Sequence, residues 1–291
     1  MLRYPDRLGE ISRSSYPTAL YCEAVTGSRS PFGPEDPEVI LPLPAGMGQR
    51  LAQRSDQWPW SVYLRVLPPA GGWMSAGLLE ALADLVERRG AGLLHLACGG
   101  TWEIYTTPEE ALALVGELNA LGLDVGSTGD DLRCVVACAG PARCDEALVD
   151  APALATYLAR RFLDEQQYPA LPRKCKPAVA GCGHDCVRAA HRDLALIGVK
   201  RPREGRGVTL VVGGKYGARS GGCPRPARVL VPFVPVAGEE DYRVVGDLWE
   251  RFLDVWSRLA GNRERVGDFL DRLGRDRILR EMGWDDRGDL A

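Results

Sequence analysis

Two closely spaced cysteine pairs constrain this chain more than any other feature of its sequence. Cys138 and Cys144 enclose five residues in CAGPARC, and Cys182 and Cys186 enclose three in CGHDC. Thiolates are the ligands that hold iron–sulfur clusters, and a cluster of four irons takes four of them. Glycines in and beside both segments allow the backbone to approach a cluster and donate N–H groups to its sulfurs. The spacing therefore favours a four-iron cluster bound by two short loops.

Other interpretations of the nine cysteines stay open at this point. A zinc site with four cysteines is the main alternative, although structural zinc favours two-residue spacers within each pair. Cys223, in GGCPRP, is undecided, and His184 and His191 are interpreted as hydrogen-bonding residues rather than ligands. Cysteine is also a commonly buried residue type, and burial is the simpler interpretation of the others. These are Cys22, Cys98, Cys134 and Cys175.

The charge balance and the apolar runs bound the compartment and the partners. Because 36 basic residues are offset by 39 acidic ones, nucleic acid is not an expected partner. No apolar run approaches the roughly 20 residues that span a bilayer, and residues 1–10 lack the profile of a signal peptide. We therefore expect a cytoplasmic protein without a membrane span, in which the thiols stay reduced.

The order of strand and helix patterns predicts an α+β fold in three parts. Residues 1–58 are rich in proline, glycine and serine, which predicts an extended N-terminal arm. Residues 59–125 are predicted to form an α+β unit, with a strand, a helix, two strands joined at Gly99–Gly100 and a second helix. Residues 126–291 form the part that carries the four cysteines. The elements expected there are helices over about 151–167, 239–259 and from 263, and strands over 208–214 and 228–236.

Several longer motifs place the cysteine pairs within a known family. GLLHLACGGTWEIY, DVGSTGDDLR, CAGPARC, YPALPRKCK and AGCGHDC occur in this order along the chain. In these motifs the chain resembles the siroheme-dependent sulfite and nitrite reductases, and most of all the dissimilatory-type sulfite reductase subunits. The resemblance covers residues from about 58 to 284. It implies a half-unit of that fold, with a ferredoxin-like part followed by a part that binds siroheme and a [4Fe–4S] cluster.

The resemblance also implies roles for individual residues. Cys186 would join the cluster to the siroheme iron, as the last of four cluster ligands. Those four ligands would be Cys138, Cys144, Cys182 and Cys186. Basic residues would surround the distal face of the siroheme and neutralise the substrate anion, and these are Arg65, Arg133, Lys174 and Lys176. Glycines allow close backbone approach and cations pair with anions, so a further group is a candidate for contacts with the siroheme carboxylates. These residues are Gly213, Gly214, Lys215, Arg219 and Arg225.

The reaction that the resemblance implies is the six-electron reduction of sulfite to sulfide, or its reverse in sulfur oxidation. Nitrite is the alternative substrate, and a non-catalytic iron–sulfur subunit is an alternative role. The inserted ferredoxin module usual in dissimilatory subunits is missing from RDLALIGVKRPREGRGVTLVVGG. An external electron donor protein is therefore expected. So is a partner, either a sister subunit or a second copy of the chain.

Overall fold

The computed structural model describes residues 20–21, 62–97, 99–126, 130, 132–164, 171–216 and 224–284. The chain divides into two compact units. Unit 1 comprises residues up to 68 together with 74–128, and unit 2 comprises residues 69–73 together with 129–291. No helix in the described part of the chain is long and apolar enough to cross a bilayer.

Unit 1 is an antiparallel sheet with two helices. Ser75 caps the first helix, because its hydroxyl accepts a hydrogen bond from the Leu78 N–H at 3.1 Å. Apolar side chains at helical spacing on both helices pack against the inward side chains of the strands, such as Leu64 and Ile104, which are fully buried. The elements are β1 (Leu20–Tyr21), β2 (Val62–Leu67), α1 (Ala76–Arg89), β3 (Leu94–Leu96), β4 (Trp102–Thr106), α2 (Pro108–Ala120) and β5 (Asp124–Val125).

The sheet of unit 1 has the order β1-β2-β4-β3, and β5 pairs with the carboxyl end of β2 on the edge that faces away from β4. The β3–β4 pair is the hairpin that the sequence predicts at Gly99–Gly100, and α1 and α2 confirm the two predicted helices. Only β1 is described within the predicted N-terminal arm, so the rest of that prediction lies outside the described residues.

Unit 2 contains a mixed five-stranded sheet of order β10-β9-β8-β7-β6. The first three strands in sequence are parallel neighbours, whereas β8, β9 and β10 are antiparallel. Residues 202–204 join β8 to β9, because Arg201 pairs with Gly205 at the end of the ladder. The strands are β6 (Val136–Ala137), β7 (Pro177–Ala180), β8 (Leu194–Arg201), β9 (Gly205–Val212) and β10 (Arg228–Pro235).

The helices of unit 2 differ from the predictions mainly in their ends. The helix expected over 151–167 is α-helical to Ala159 and continues as a π-helical turn to Asp164. The helix expected from 263 is two helices, separated at Gly274, whose φ of 78° favours glycine. Buried Trp249 and Trp256 lie on the long helix. The α-helices are α3 (Ala151–Ala159), α4 (Tyr242–Leu259), α5 (Val266–Leu273) and α6 (Arg275–Glu281).

Candidate functional site

The two cysteine pairs follow the carboxyl ends of neighbouring parallel strands. β6 ends at Ala137, directly before Cys138, and β7 ends at Ala180, two residues before Cys182. Ala137 is in register with Val179 across the parallel ladder. The carboxyl ends of parallel neighbours lie at the same edge of a sheet. The fold therefore brings together two loops that are far apart in sequence.

Hydrogen bonds to Gly181 join the two cysteine loops directly. Its N–H donates to Cys138 Sγ at 3.2 Å, and its carbonyl accepts from the N–H of Leu148 at 2.8 Å. A Cβ atom at this position would lie 3.3 Å from the same sulfur. An N–H directed at a sulfur is the contact expected around a cluster thiolate. Gly181 therefore allows the second loop to approach the first thiol closely.

A second close contact seats the first cysteine loop on α3. Gly140 has a φ of 69°, and a Cβ atom there would lie 2.5 Å from Cδ of Pro152. Trp73 donates its indole N–H to the Ala139 carbonyl at 2.9 Å. A Cβ atom at Gly71 would lie 3.1 Å from the Cys138 carbonyl, so residues 69–73 also pack on this loop. The loop conformation is set by backbone contacts and small residues.

The second cysteine loop is held by the side chain of Asp185. This residue has a φ of 49°, and its carboxylate accepts from the N–H groups of Ala189 at 2.5 Å and Ala190 at 2.9 Å. His184 Nδ1 lies 3.5 Å from Cys182 Sγ. Cys186 is exposed. The loop thus presents one exposed thiol beside a half-buried one.

The donor set of these loops fits an iron–sulfur cluster. Cys138, Cys144 and Cys182 are half-buried free thiols, and Cys186 is exposed. Within the described residues, no three His, Cys, Asp or Glu side chains converge as the ligands of a single ion do. A cubane differs from a single ion because each thiolate binds its own iron. The four thiols and the surrounding N–H donors are therefore the groups that would hold it.

Basic residues occupy the opposite, amino ends of the same two strands. Arg133 precedes β6, and Lys174 and Lys176 precede β7 on either side of the fully buried Cys175. The Arg133 N–H donates to the Cys175 carbonyl at 2.8 Å. The backbone N–H groups of the two lysines donate to carboxylates, that of Lys174 to Asp130 at 3.3 Å and that of Lys176 to Asp193 at 3.0 Å.

Burial and mutual repulsion lower the pKa values of both lysines. Desolvation is the largest cause for Lys174, followed by the charges of Lys176 and Arg133, and its pKa falls to about 8. Desolvation also lowers the pKa of Lys176, although the charge of Asp193 opposes the shift. An amine with a pKa near neutrality can both attract an anion and release a proton.

The glycines at the end of β9 have protein backbone as their close neighbours. A Cβ atom at Gly213 would lie 2.8 Å from Cα of Gly267, and one at Gly214 would lie 2.6 Å from the Arg192 carbonyl. Lys215 and Arg225 exchange backbone hydrogen bonds at 2.9 and 2.8 Å. These contacts explain both glycines by packing. Arg219 and Cys223 lie outside the described residues.

Arg65 lies in unit 1, on β2, at one end of a row of polar side chains whose middle member is Glu103. Its guanidinium donates to Glu103 at 3.0 Å, and the other oxygen of that carboxylate lies 2.9 Å from His95 Nδ1. The register of β3, β4 and β2 aligns the three residues. The Arg65 side chain is mostly buried, and its carbonyl accepts from the Gly126 N–H at 2.9 Å.

Sequence inspection misses the two carboxylates that bind the backbone of Lys174 and Lys176. Asp130 and Asp193 are 43 or more residues away from the nearest other basic partners they contact, Arg173 and Arg265. A local signal exists only for Asp193, since it directly precedes the apolar run LALI and an aspartate there is buried at the start of a strand. Arg265 has no such signal.

Comparison with known families matches both units. Residues 128–287 match the family described as the nitrite and sulphite reductase 4Fe-4S domain. Residues 61–121 match the nitrite/sulfite reductase ferredoxin-like half domain. The first of these matches covers more than half of the chain.

Individual proteins give the same result. The alpha subunit of the dissimilatory-type sulfite reductase of Allochromatium vinosum is 26% identical over 288 residues, covering 76% of this chain and 69% of that subunit. The assimilatory ferredoxin-dependent nitrite reductase of Haloferax mediterranei is 25% identical over 233 residues, covering 75% of this chain and 39% of that protein. The crystal structure of dissimilatory sulfite reductase I matches with a TM-score of 0.71 at 19% identity, covering 98% of this chain and 88% of that chain.

Proposed function

The chain belongs to the siroheme-dependent nitrite and sulfite reductase family, and we propose that it reduces sulfite to sulfide by six electrons. The family match implies siroheme and a [4Fe–4S] cluster as its cofactors. One observation carries the proposal. The same two strands lead into the thiol loops at their carboxyl ends and follow half-buried cations at their amino ends.

The cysteines would hold the cluster, and Cys186 would also ligate the siroheme iron. When bound, the two cofactors supply an iron that binds the substrate and a store of electrons beside it. The protein would contribute a polar, partly dry cradle for them. The N–H of Gly181 is already directed at Cys138 Sγ, which stabilises negative charge on that sulfur.

The basic residues Arg133, Lys174 and Lys176 would bind the anion, and the two lysines would deliver protons. Three oxygens leave sulfite as water, so negative charge develops on oxygen and protons are consumed. Burial strengthens the attraction between these cations and an anion. The lowered pKa of Lys174 suits proton release near neutral pH. The resemblance also assigns Arg65, which lies in unit 1, to the anion, and that role stays a prediction.

The groups around residues 213–219 would serve the siroheme carboxylates less directly than the resemblance implies. The close approaches of Gly213 and Gly214 are to protein backbone. We therefore assign these two glycines a packing role beside the site. Lys215 and Arg219 stay candidates for contacts with the carboxylates.

Partners follow from the proposed reaction. Residues 192–214 are described throughout and form only a hairpin, without an inserted cluster module. The electrons would therefore come from an external donor protein that docks near the exposed Cys186 loop. A sister subunit or a second copy of this chain would complete the assembly, since the Allochromatium relative is named as an alpha subunit.

The test is anaerobic purification followed by absorbance spectroscopy, quantification of iron and siroheme, and assays with reduced viologen. We expect a siroheme spectrum, about five irons per chain, and sulfide formation from sulfite. Nitrite is the second candidate substrate, because the Haloferax relative is a nitrite reductase. Cluster absorbance without siroheme and without either activity would replace the proposal by the non-catalytic subunit role. Oxidation of sulfide in place of sulfite reduction would indicate the reverse direction.

A further inference from the structure

The carboxylate of Asp193 binds the backbone of Lys176 and is itself bound by Arg265. The Asp193 side chain is only 2% exposed, and one of its oxygens accepts from the Lys176 N–H at 3.0 Å. The Asp193 N–H donates back to the Lys176 carbonyl at 3.1 Å. Its other carboxylate oxygen accepts from Arg265 Nη2 at 2.6 Å. The peptide of Lys176 is therefore fixed on both its N–H and its C=O sides.

Arg265 is itself held in place by the turn that begins α5. Glu264 accepts from the Gly261 N–H at 2.8 Å and from Arg272 at 2.7 Å and 2.8 Å. These bonds anchor Glu264 to α5, the helix that follows it. The next residue, Arg265, caps that helix in an extended conformation with a φ of −77° and a ψ of 152°. The guanidinium is therefore presented to Asp193 by a preorganised turn.

A looser copy of the same arrangement holds Lys174. Asp130 accepts from the Lys174 N–H at 3.3 Å and from Arg173 at 3.0 Å, and Arg263 lies 3.6 Å from its other oxygen. Its side chain is 31% exposed, against 2% for Asp193. Arg263 and Arg265 thus pair with Asp130 and Asp193, respectively. These are the carboxylates that accept from the N–H groups of Lys174 and Lys176. The tight member of the two is the pair under Lys176.

Stability alone is a weak reason for a buried ion pair. Removing two charges from water costs several kcal/mol, and apolar residues of similar size often replace such a pair without loss. The negative charge that Asp193 places beside Lys176 is a better explanation for the pair. Asp193 favours the protonated form of Lys176, whereas burial, Arg192, Arg133 and Arg265 oppose it.

We propose that Asp193, held by Arg265, is a positioning residue that fixes Lys176 for anion binding. The reference to an anion site rests on the proposed function, whereas the positioning of Lys176 does not. Neither residue touches the reacting atoms in this proposal. Both act through the lysine.

The structural half of the test is amide hydrogen exchange on the full-length holoprotein. Pro177 has no amide hydrogen, so overlapping peptides isolate the Lys176 amide as the last one before β7. In Asp193→Ala we expect this amide to exchange at least about tenfold faster. In Asp193→Asn, which keeps an acceptor oxygen, a smaller increase is expected. Arg265→Lys keeps a positive charge and should preserve most of the protection. Unchanged exchange in Asp193→Ala overturns the inference.

The functional half measures sulfite KM and kcat against pH. Asp193→Asn should raise KM by about tenfold with a smaller change in kcat, and should move the alkaline fall in activity to lower pH. The matched control is Arg161→Gln, which breaks the ion pairs of another half-buried arginine, with Asp247 and Glu250, in the same unit. If the control changes KM and exchange at Lys176 as much, the pair under Lys176 is merely structural and the inference is wrong.

The two proposals fail separately. A wild-type protein that reduces neither sulfite nor nitrite refutes the proposed function, and the exchange experiment still decides the positioning of Lys176. If Asp193→Ala does not fold, Asp193→Asn and Arg265→Gln decide the question by the same measurements. An active wild type whose Asp193→Asn variant keeps its KM, pH profile and exchange refutes the positioning role alone.

Discussion

The two ends of β6 and β7 are built from different interactions. At the carboxyl ends, the thiol loops are held mainly by backbone hydrogen bonds, glycines and the ring of Pro152, with one carboxylate, Asp185, inside the second loop. At the amino ends, the backbone of Lys174 and Lys176 is held by the carboxylates of Asp130 and Asp193. Arginines bind these carboxylates in turn. At about 3.3 Å per residue, Lys176 and Cys182 lie on the order of 15–20 Å apart along the chain. One pair of strands therefore carries a site defined by shape and a site defined by charge.

The difference teaches which kind of change each end tolerates. A shape-defined end should be sensitive to one added carbon atom and insensitive to pH. A charge-defined end should tolerate small changes in volume and respond to the loss or the titration of a charge. The following experiments test this contrast, starting with the largest effect.

Loss of one cluster thiol should have the largest effect. Cys182→Ala is expected to lose the cluster and all reductase activity, because three thiolates leave one iron without a protein ligand. Iron and acid-labile sulfide per chain measure the loss. Cys134→Ala, which removes a buried thiol outside both loops, is the control and should keep full iron content. Retention of four cluster irons by Cys182→Ala would exclude it from the ligand set.

Removal of a charge at the basic end should come second. Lys174→Met keeps the length of the side chain, and we expect kcat/KM for sulfite to fall by about 10²–10³ with the cofactors retained. The matched control is Lys200→Met, an exposed lysine on β8, which should leave kcat/KM unchanged. Equal activity of the Lys174 variant and the wild type would show that the basic strand does not serve the anion.

One added methyl group at the thiol end should come third. Gly140→Ala places a Cβ atom 2.5 Å from Pro152 at a φ of 69°, so we expect a loss of about 2–4 kcal/mol in unfolding free energy. Gly183→Ala, in the other loop, meets nothing within 4 Å and should change stability by less than about 0.5 kcal/mol. Urea unfolding compares the two variants. Similar losses in both would remove the argument that shape defines this end.

Titration of the basic end should give the smallest effect. Burial and neighbouring cations lower the pKa of Lys174 to about 8, so its positive charge is lost as the pH rises through that value. We expect kcat/KM to fall by up to about tenfold per pH unit above it. Lys174→Arg keeps its charge and should move the fall to higher pH. A profile that stays flat to pH 10 would contradict this assignment.

The sequence predicts the helices and strands of this fold better than it predicts which strands pair with one another. The α+β class and the siroheme reductase family are confirmed, as are α1, α2, the β3–β4 hairpin and the long helix α4. β6 and β7 escape prediction because two and four residues carry too little periodicity. Yet their parallel pairing is what joins the cysteine loops. Long-range pairing is set by the whole sheet, and local pattern does not contain it.

The site divides in the same way. Residue types and spacing select the cysteines as candidates, the family resemblance selects Arg133, Lys174 and Lys176, and the roles of all of them stay predictions. The supporting Asp130, Asp193 and Arg265 depend on contacts across 17 to 72 residues of sequence. The packing that makes Gly213 and Gly214 necessary is likewise long-range, and residue type alone does not distinguish a ligand contact from a backbone contact.

Residues 69–73 give the polypeptide an order of assembly. This pentapeptide packs with unit 2, on the Cys138 loop and Pro152, although the residues on both sides of it in sequence belong to unit 1. During synthesis it leaves the ribosome long before the loop it covers, and it must wait for that loop. A gene fragment that starts at residue 129 would omit the Trp73 indole, which donates to the Ala139 carbonyl. A separately expressed unit 2 should therefore include the pentapeptide, because unit 2 is not one continuous stretch of the sequence.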